Sequence, residues 1–296
     1  MAAERGNLFD PTLVTDLISK VRGKSSLAAL SGQTPIPFNG LKEFIFSMEK
    51  EIDIVAENGK KTEGGIKVEP VKIVPIKFEY GARVSDEFLY ATEEEQLEIL
   101  AAFNDGFAKK VAKGLDLAAF HGINPRTGAA SNVVGTNHFD SKVTQKVTYT
   151  KGTPDVNLDA AIAAVQGADG DVTGMAFSTA FGADMATVKE NGVRQYPEFR
   201  FGASPNSLGG MAVSVNNTVY NATVKDHAIV GDFQSAFKWG FSKEIPMEII
   251  KYGDPDNSGK DLKGYNQVYI RAEVYIGWGI LVPEYFAKVV EESSAV

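Results

Sequence analysis

Apolar residues recur in steps of three and four along TEEEQLEILAAFNDGFAKKVAKGLDLAAFHG, at Leu97, Leu100, Phe103, Phe107, Val111, Leu115 and Ala118. That spacing places them on one stripe of a helix running from Thr92 to Gly122. Thr92 with Glu95 forms a capping box at its start. Glu93, Glu94, Glu95 and Glu98 lie near the N-terminus and Lys109, Lys110 and Lys113 in the second half, an order that suits the helix dipole. Gly122 supplies a left-handed stop, and Pro125 forbids continuation. At 1.5 Å per residue the helix is about 42 Å long, enough to span a small domain as a beam.

The period changes on either side. Residues 41–85 read as two extended arms, Phe44 to Val55 and an alternating run from Val68 to Tyr80. Between them lies a tip whose Asn58-Gly59 and Gly64-Gly65 pairs carry turn chemistry. Pro70 and Pro75 cannot donate to a ladder, which predicts an edge strand. A two-stranded ribbon is marginal alone in water and needs a covering surface. Residues 1–40 read as an arm, with one short helix from Pro11 to Val21 capped by Asp10, followed by the loop residues Ser25, Ser26, Ser31, Gly32, Pro35 and Pro37.

After the beam, HGINPRTGAASNVVG is a loop of specific turns. Residues 139–152 predict a short strand, NLDAAIAAVQ a helix, and GMAFSTAFGADMATVKE a strand and a helix. A long irregular loop leads to AIVGDFQSAFKWGF, a strand, a Gly-Asp turn and a second strand. KEIPMEIIKYG, YNQVYIRAEVYIGWGILV and EYFAKVV are strand-like, rich in Val, Ile and Tyr. No repeat is evident, and the class is mixed α+β with long extensions.

Composition narrows the chemistry. The 296 residues suffice for about two domains. There are no cysteines, which excludes disulfides, thiolate catalysis and cysteine zinc sites. MAAERGNLFD is polar, so no signal peptide is expected, and no run reaches the roughly 18 apolar residues of a membrane span. The formal net charge is −8 with basic residues scattered, which argues against tight binding of nucleic acid but not against lying beside it.

Enzyme motifs fail one by one. Gly23-Lys24-Ser25 looks like the end of a phosphate loop, but Ile18 stands where the first glycine is required. No Gly-x-Ser-x-Gly elbow occurs, and His121, His138 and His227 lack metal spacing. His121 is read as a C-terminal cap of the beam. Asp254 and Asp256, with Ser258 and Gly259, occupy calcium-loop positions, but Tyr265 stands where a bidentate Glu is needed, which favours a plain turn. No catalytic constellation, cofactor or metal is expected.

The order of parts resembles the major capsid protein of tailed bacteriophages, the Hong Kong ninety-seven-type shell fold. DLAAFHGINPRTGAAS is similar to that family's beam end, AIVGDFQSAFKWG to its hydrophobic-GDF turn, and DLKGYNQVYIRAEVYIGWGILVPEYFAKV to its final strands. The resemblance implies an N-terminal arm (1–40) and an extended loop (41–85). A peripheral domain follows (86–152 and 231–280), then an axial domain (153–230) with a return strand (281–296). It further implies self-assembly into pentamers and hexamers of an icosahedral shell around double-stranded DNA. A separate scaffolding protein, a portal and decoration proteins would be partners, with no membrane and no large cleaved leading segment. Assembly would fall in the host cytoplasm. The mild negative charge agrees, because packed DNA must slide along the wall.

The loop tip residues Asn58, Gly59, Gly64 and Gly65 are then assembly residues. The family's founding member welds subunits through a loop lysine and a neighbour's asparagine, with a glutamate taking the proton. Lys60 and Lys61, Asn266 and Glu273 fall at the matching positions. Against the weld stand solvated tip lysines and an ordinary pairing of Glu273 with Arg271. An encapsulin-type nanocompartment shares the fold and is the alternative; an enzyme has no supporting constellation.

Overall fold

A computed structural model describes residues 20, 25–48, 52–242 and 247–292. The predicted helix from Pro11 to Val21 falls outside the described residues, Lys20 apart. In chain order the elements are α1 (Ser26–Leu30), β1 (Leu41–Met48), β2 (Ile66–Ile73), β3 (Ile76–Ser85), α2 (Glu93–His121), α3 (Phe139–Lys142), β4 (Lys146–Thr148), α4 (Pro154–Gln166), β5 (Gly174–Phe177) and α5 (Thr179–Met185). There follow β6 (Lys189–Glu190), β7 (Val193–Arg194), β8 (Ser207–Leu208), β9 (Met211–Val215), β10 (Asp226–Gly231), β11 (Phe237–Phe241), β12 (Met247–Ile250), β13 (Gln267–Ile280) and β14 (Phe286–Val290).

The beam is α2. Its capping box forms as the sequence predicts, with Thr92 and Glu95 bonding each other's backbone N–H, and Gly122 closes it in the left-handed conformation. The Leu97, Glu93 and Glu94 side chains lie outside what is described. Of the stripe, Leu100, Phe107, Val111, Leu115 and Ala118 are buried and Phe103 is partly so. In the second half burial widens to Ala108, Ala112, Asp116, Ala119 and Phe120, because the helix there is covered on several sides.

One cover is a four-stranded sheet centred on β13. Its ten N-terminal positions pair with β3, and its other side carries β11 and β12. Gly114 lets the helix approach: a Cβ there would lie 3.2 Å from the Phe78 ring. A second cover is the six-stranded sheet β4-β14-β10-β5-β9-β8, which has its own core with α4 and α5 around Phe177, Phe181 and Phe199. The third is α1. Ser26, predicted as loop, instead opens this buried turn, and Ser25 and Ser31 flank it in extended conformation; Leu27, Ala28 and Leu30 are fully packed and the Ser25 hydroxyl caps Ala28 N–H.

The ribbon differs from its predicted form. β1 and β2 pair antiparallel from Leu41↔Ile73 to Met48↔Ile66, Pro70 included, and the described residues beyond, 52–65, form no strand. At the tip Gly59 N–H bonds the Ala56 carbonyl at 2.8 Å, with Glu57 and Asn58 central. Neither Asn58 nor Gly59 takes a positive φ, so the primed hairpin turn that an Asn-Gly pair favours is not made. The second arm also breaks, at Val74-Pro75. Beyond the break β3 leaves β1 and joins β13, because Pro75 cannot continue a ladder. The short strand predicted within residues 139–152 appears as β4, and the helical turn α3 precedes it.

Candidate functional site

Two features stand apart from ordinary packing: apolar surfaces that one subunit leaves open, and a buried ionic cluster at the end of the beam.

The open surfaces belong to the ribbon. Ile52 and Ile54 are 93% and 97% exposed, and Phe44, Ile66 and Val68 are also exposed. Lys60 and Lys61 are exposed on the same tip. The ribbon is anchored at its base. Lys238 reaches Glu43 at 2.8 Å, and Ile73 is fully buried over β13. The Gly277-Trp278-Gly279 run explains that contact, since a Cβ on Gly279 would meet Ile73 at 2.8 Å and one on Gly277 would meet Ile36 at 3.0 Å. The intervening Trp278 is locked by a reciprocal pair: its Nε1–H donates to the Asn137 carbonyl, and the Asn137 amide donates to the Trp278 carbonyl, both at 2.9 Å.

The arm docks alongside. Thr34 N–H bonds the Trp239 carbonyl at 2.8 Å and Ile36 N–H the Phe241 carbonyl at 3.2 Å, so residues 33–36 run beside β11. The GDF turn is equally specific. A Cβ on Gly231 would lie 2.2 Å from the Tyr285 carbonyl. Asp232 accepts from Thr173, Gln234 and Ser235, and Phe233 enters the core beside Phe139 and Phe286.

The buried cluster joins the beam to the six-stranded sheet. His121, the last residue of α2, places Nε2 2.9 Å from the Thr218 carbonyl. A carbonyl only accepts, so Nε2 carries hydrogen. Nδ1 faces Asp140 of α3 at 2.8 Å. The ring therefore bonds Asp140 and Thr218 rather than capping the helix carbonyls, as the sequence alone had suggested. Lys288 of β14 is fully buried, with Nζ 3.2 Å from Asp140 and 3.5 Å from Asp226 of β10. Two carboxylates in one dry site cannot both ionise freely. Burial, with Asp140 beside it, pushes Asp226 up to about 8. The His121 and Asp226 contacts outweigh desolvation and hold Asp140 well below the usual range. His121, Asp140 and Asp226 also bring three ligand atoms within 4.8 Å of one another. The cationic place among them is already filled by the Lys288 amine, so the set reads as an internal ion cluster and not as a metal centre.

A second buried acid, Asp116 in mid-beam, accepts from Ser26 N–H at 2.9 Å, Leu27 N–H at 3.3 Å and the Thr218 hydroxyl at 2.7 Å, and also from the Ser25 hydroxyl. Burial is the largest influence on this carboxyl and raises its pKa. None of Asp116, Asp140, Asp226 and Lys288 was singled out from the sequence. The available signal was charge inside apolar runs, LDLAAF and FAKVV.

The other sequence candidates are scattered. Asn266 is exposed in the left-handed conformation just ahead of β13. Glu273 lies seven residues along that strand, about 23 Å away at strand rise, and pairs with Lys77 at 2.8 Å and with Arg271 at 3.5 Å. Asp254 and Asp256 are taken by Arg83, whose Nη2 lies 2.7 Å and 2.5 Å from them, and Asp254 also accepts from Ser258 and Gly259. Those bonds close a turn between β12 and β13.

A subunit with a beam between two sheets, a docked arm and an uncovered apolar ribbon is a shell-building protein, completed by copies of itself. Residues 5–290 match the phage capsid family, and the chain belongs to that family. It is a major capsid protein of the virion shell. A chain from Mycobacterium phage Ogopogo is 33% identical, with 91% of this chain and 92% of that one covered and a TM-score of 0.76. One from Gordonia phage Cozz is 24% identical, covering 92% and 87%, with a TM-score of 0.74. A chain described as the capsid of an empty GTA particle is 13% identical, covering 99% and 94%, with a TM-score of 0.61. Comparison with curated proteins gives no match.

Proposed function

We propose that this chain assembles into pentamers and hexamers of an icosahedral head around double-stranded DNA, in the cytoplasm of a bacterial host. It would act structurally, without turnover chemistry. The observation that carries this reading is the ribbon: Phe44, Ile52, Ile54, Ile66 and Val68 expose apolar surface for another copy to cover. The division into arm (1–40), extended loop (41–85), peripheral domain (86–152 and 231–280), axial domain (153–230) and return strand (281–296) follows the family likeness. Within it β3 is the strand by which the loop enters the peripheral sheet. A scaffolding protein, a portal and decoration proteins are the expected partners, and the DNA would be enclosed without sequence reading. The family match favours a phage head over a nanocompartment. Electron microscopy of purified protein tests the proposal: large shells support it, small uniform cages support the nanocompartment, and dispersed subunits refute both.

An inter-subunit weld is a finer form of the same reading. Lys60 or Lys61 would attack the Asn266 carboxamide of another copy and release ammonia, with a Glu273 taking the proton. The separation of Asn266 from Glu273 along β13 requires these two from different copies.

A further inference from the structure

We propose that the subunit also carries an internal covalent bond: Lys288 Nζ attacks Cγ of Asp226 within one chain, Asp140 serves as base, and an amide forms with loss of one water. The three groups sit on adjacent elements. Asp226 opens β10, Lys288 lies on the antiparallel neighbour β14, and Asp140 faces both from α3. Nζ is already 3.5 Å from Asp226 Oδ2 and 3.2 Å from Asp140 Oδ1. A small turn of the Asp226 carboxyl brings Cγ to the attack distance of about 3–3.5 Å. That turn breaks no hydrogen bond of Asp226 Oδ1, which is buried without a partner.

Environment assigns the roles. An ionised carboxylate resists an amine, whereas a neutral carboxyl accepts attack. Asp226 is the member that burial and its acidic neighbour keep protonated at neutral pH, and Asp140 is the member held ionised. His121 orients Asp140 through Nδ1 and is itself anchored on the Thr218 carbonyl. Phe120 and Phe139, the chain neighbours of His121 and Asp140, and Phe286, two residues before Lys288, are fully buried and pack on one another, so the ion cluster adjoins a dry aromatic core.

The step balances. The ammonium gives one proton to the Asp140 carboxylate, and the free amine attacks Asp226 Cγ. Asp140 then returns its proton to the departing hydroxyl as water and takes the second amine proton. An ammonium, a carboxyl and a carboxylate become an amide, a water and a carboxyl, with no change of oxidation state. Asp140, the carboxyl nearest solvent with 7% of its side chain exposed, marks the side on which water leaves. The product removes an ion pair from a dry interior, where its desolvation is costly.

Intact mass spectrometry of the denatured full chain tests this without any need for shells. The wild type is expected at its sequence mass less one water, with a protease-resistant junction joining the Asp226 and Lys288 peptides. Asp226→Ala and Lys288→Met should run at full mass. Asp226→Asn should instead lose one ammonia, a signature a merely structural ion pair would not produce. A wild type at full mass with separate Asp226 and Lys288 peptides, or a water lost elsewhere in the chain, overturns the proposal whether or not the variants fold.

Discussion

The backbone N–H of Ser26 donates to the Asp116 carboxylate at 2.9 Å across 90 residues of chain. It fastens the arm to the middle of the beam. The acid gathers the first N–H groups of α1, which have no partner inside that helix. Asp116→Ala would strand several buried donors at about 1–3 kcal/mol each. A loss of at least about 3 kcal/mol in subunit stability is expected by denaturant unfolding, with Asp116→Asn losing less. An alanine variant as stable as the wild type would show that the arm docks without this acid.

The arm depends equally on a missing side chain. A Cβ on Gly240 would fall 1.7 Å from the Thr34 carbonyl oxygen, a backbone atom that cannot give way cheaply. Gly240→Ala should release residues 33–36 from β11 while the two sheets stay folded. Limited proteolysis of subunits reads this as new cleavage in the arm; an unchanged pattern contradicts the contact.

His227 is buried against Tyr149, with ring centroids 4.0 Å apart, and burial lowers its pKa. Below an unfolded value of about 6.5 the unfolded chain takes up a proton that the folded one resists. Stability is therefore undiminished above that pH and falls as pH drops below it, until the lowered folded value is reached. His227→Phe should flatten this part of the melting-temperature profile. If the variant shows the same acid slope, another group is responsible.

Deleting Asn58 to Gly65 removes only exposed or half-exposed residues beyond the paired ribbon. The subunit should melt within about 0.5 kcal/mol of the wild type, yet assemble poorly. Normal shells from the deletion would remove the tip from any account of assembly.

The weld between subunits is read on a denaturing gel of boiled particles. Ladders that vanish in Asn266→Asp and in the double Lys60→Ala, Lys61→Ala variant are expected. A single band near 31.9 kDa would end that idea, and it would leave the internal Lys288–Asp226 bond untouched, since that bond does not join chains.

Much of the architecture was legible because it is local. The α2 stripe, its Thr92–Glu95 box and its Gly122 stop are set by spacing and by residues within one turn, and they appear as predicted. The strand at Met175 and the pair flanking Gly231-Asp232 are similarly determined by β-branched and aromatic runs bounded by turn residues. Tertiary structure decided where these elements spend their edges and their charges. Val68 to Tyr80 reads as one arm, but Pro75 divides it and β13 claims the second part, a choice between partners distant in sequence. Ser26 reads as loop because the helix it opens is completed by Asp116, ninety residues on, which satisfies its first N–H groups. Asp140, Asp226 and Lys288 each look like isolated charges in the sequence. Folding brings them together in a dry space, where their proximity and desolvation, neither of them a property of any one residue, set which one holds the proton.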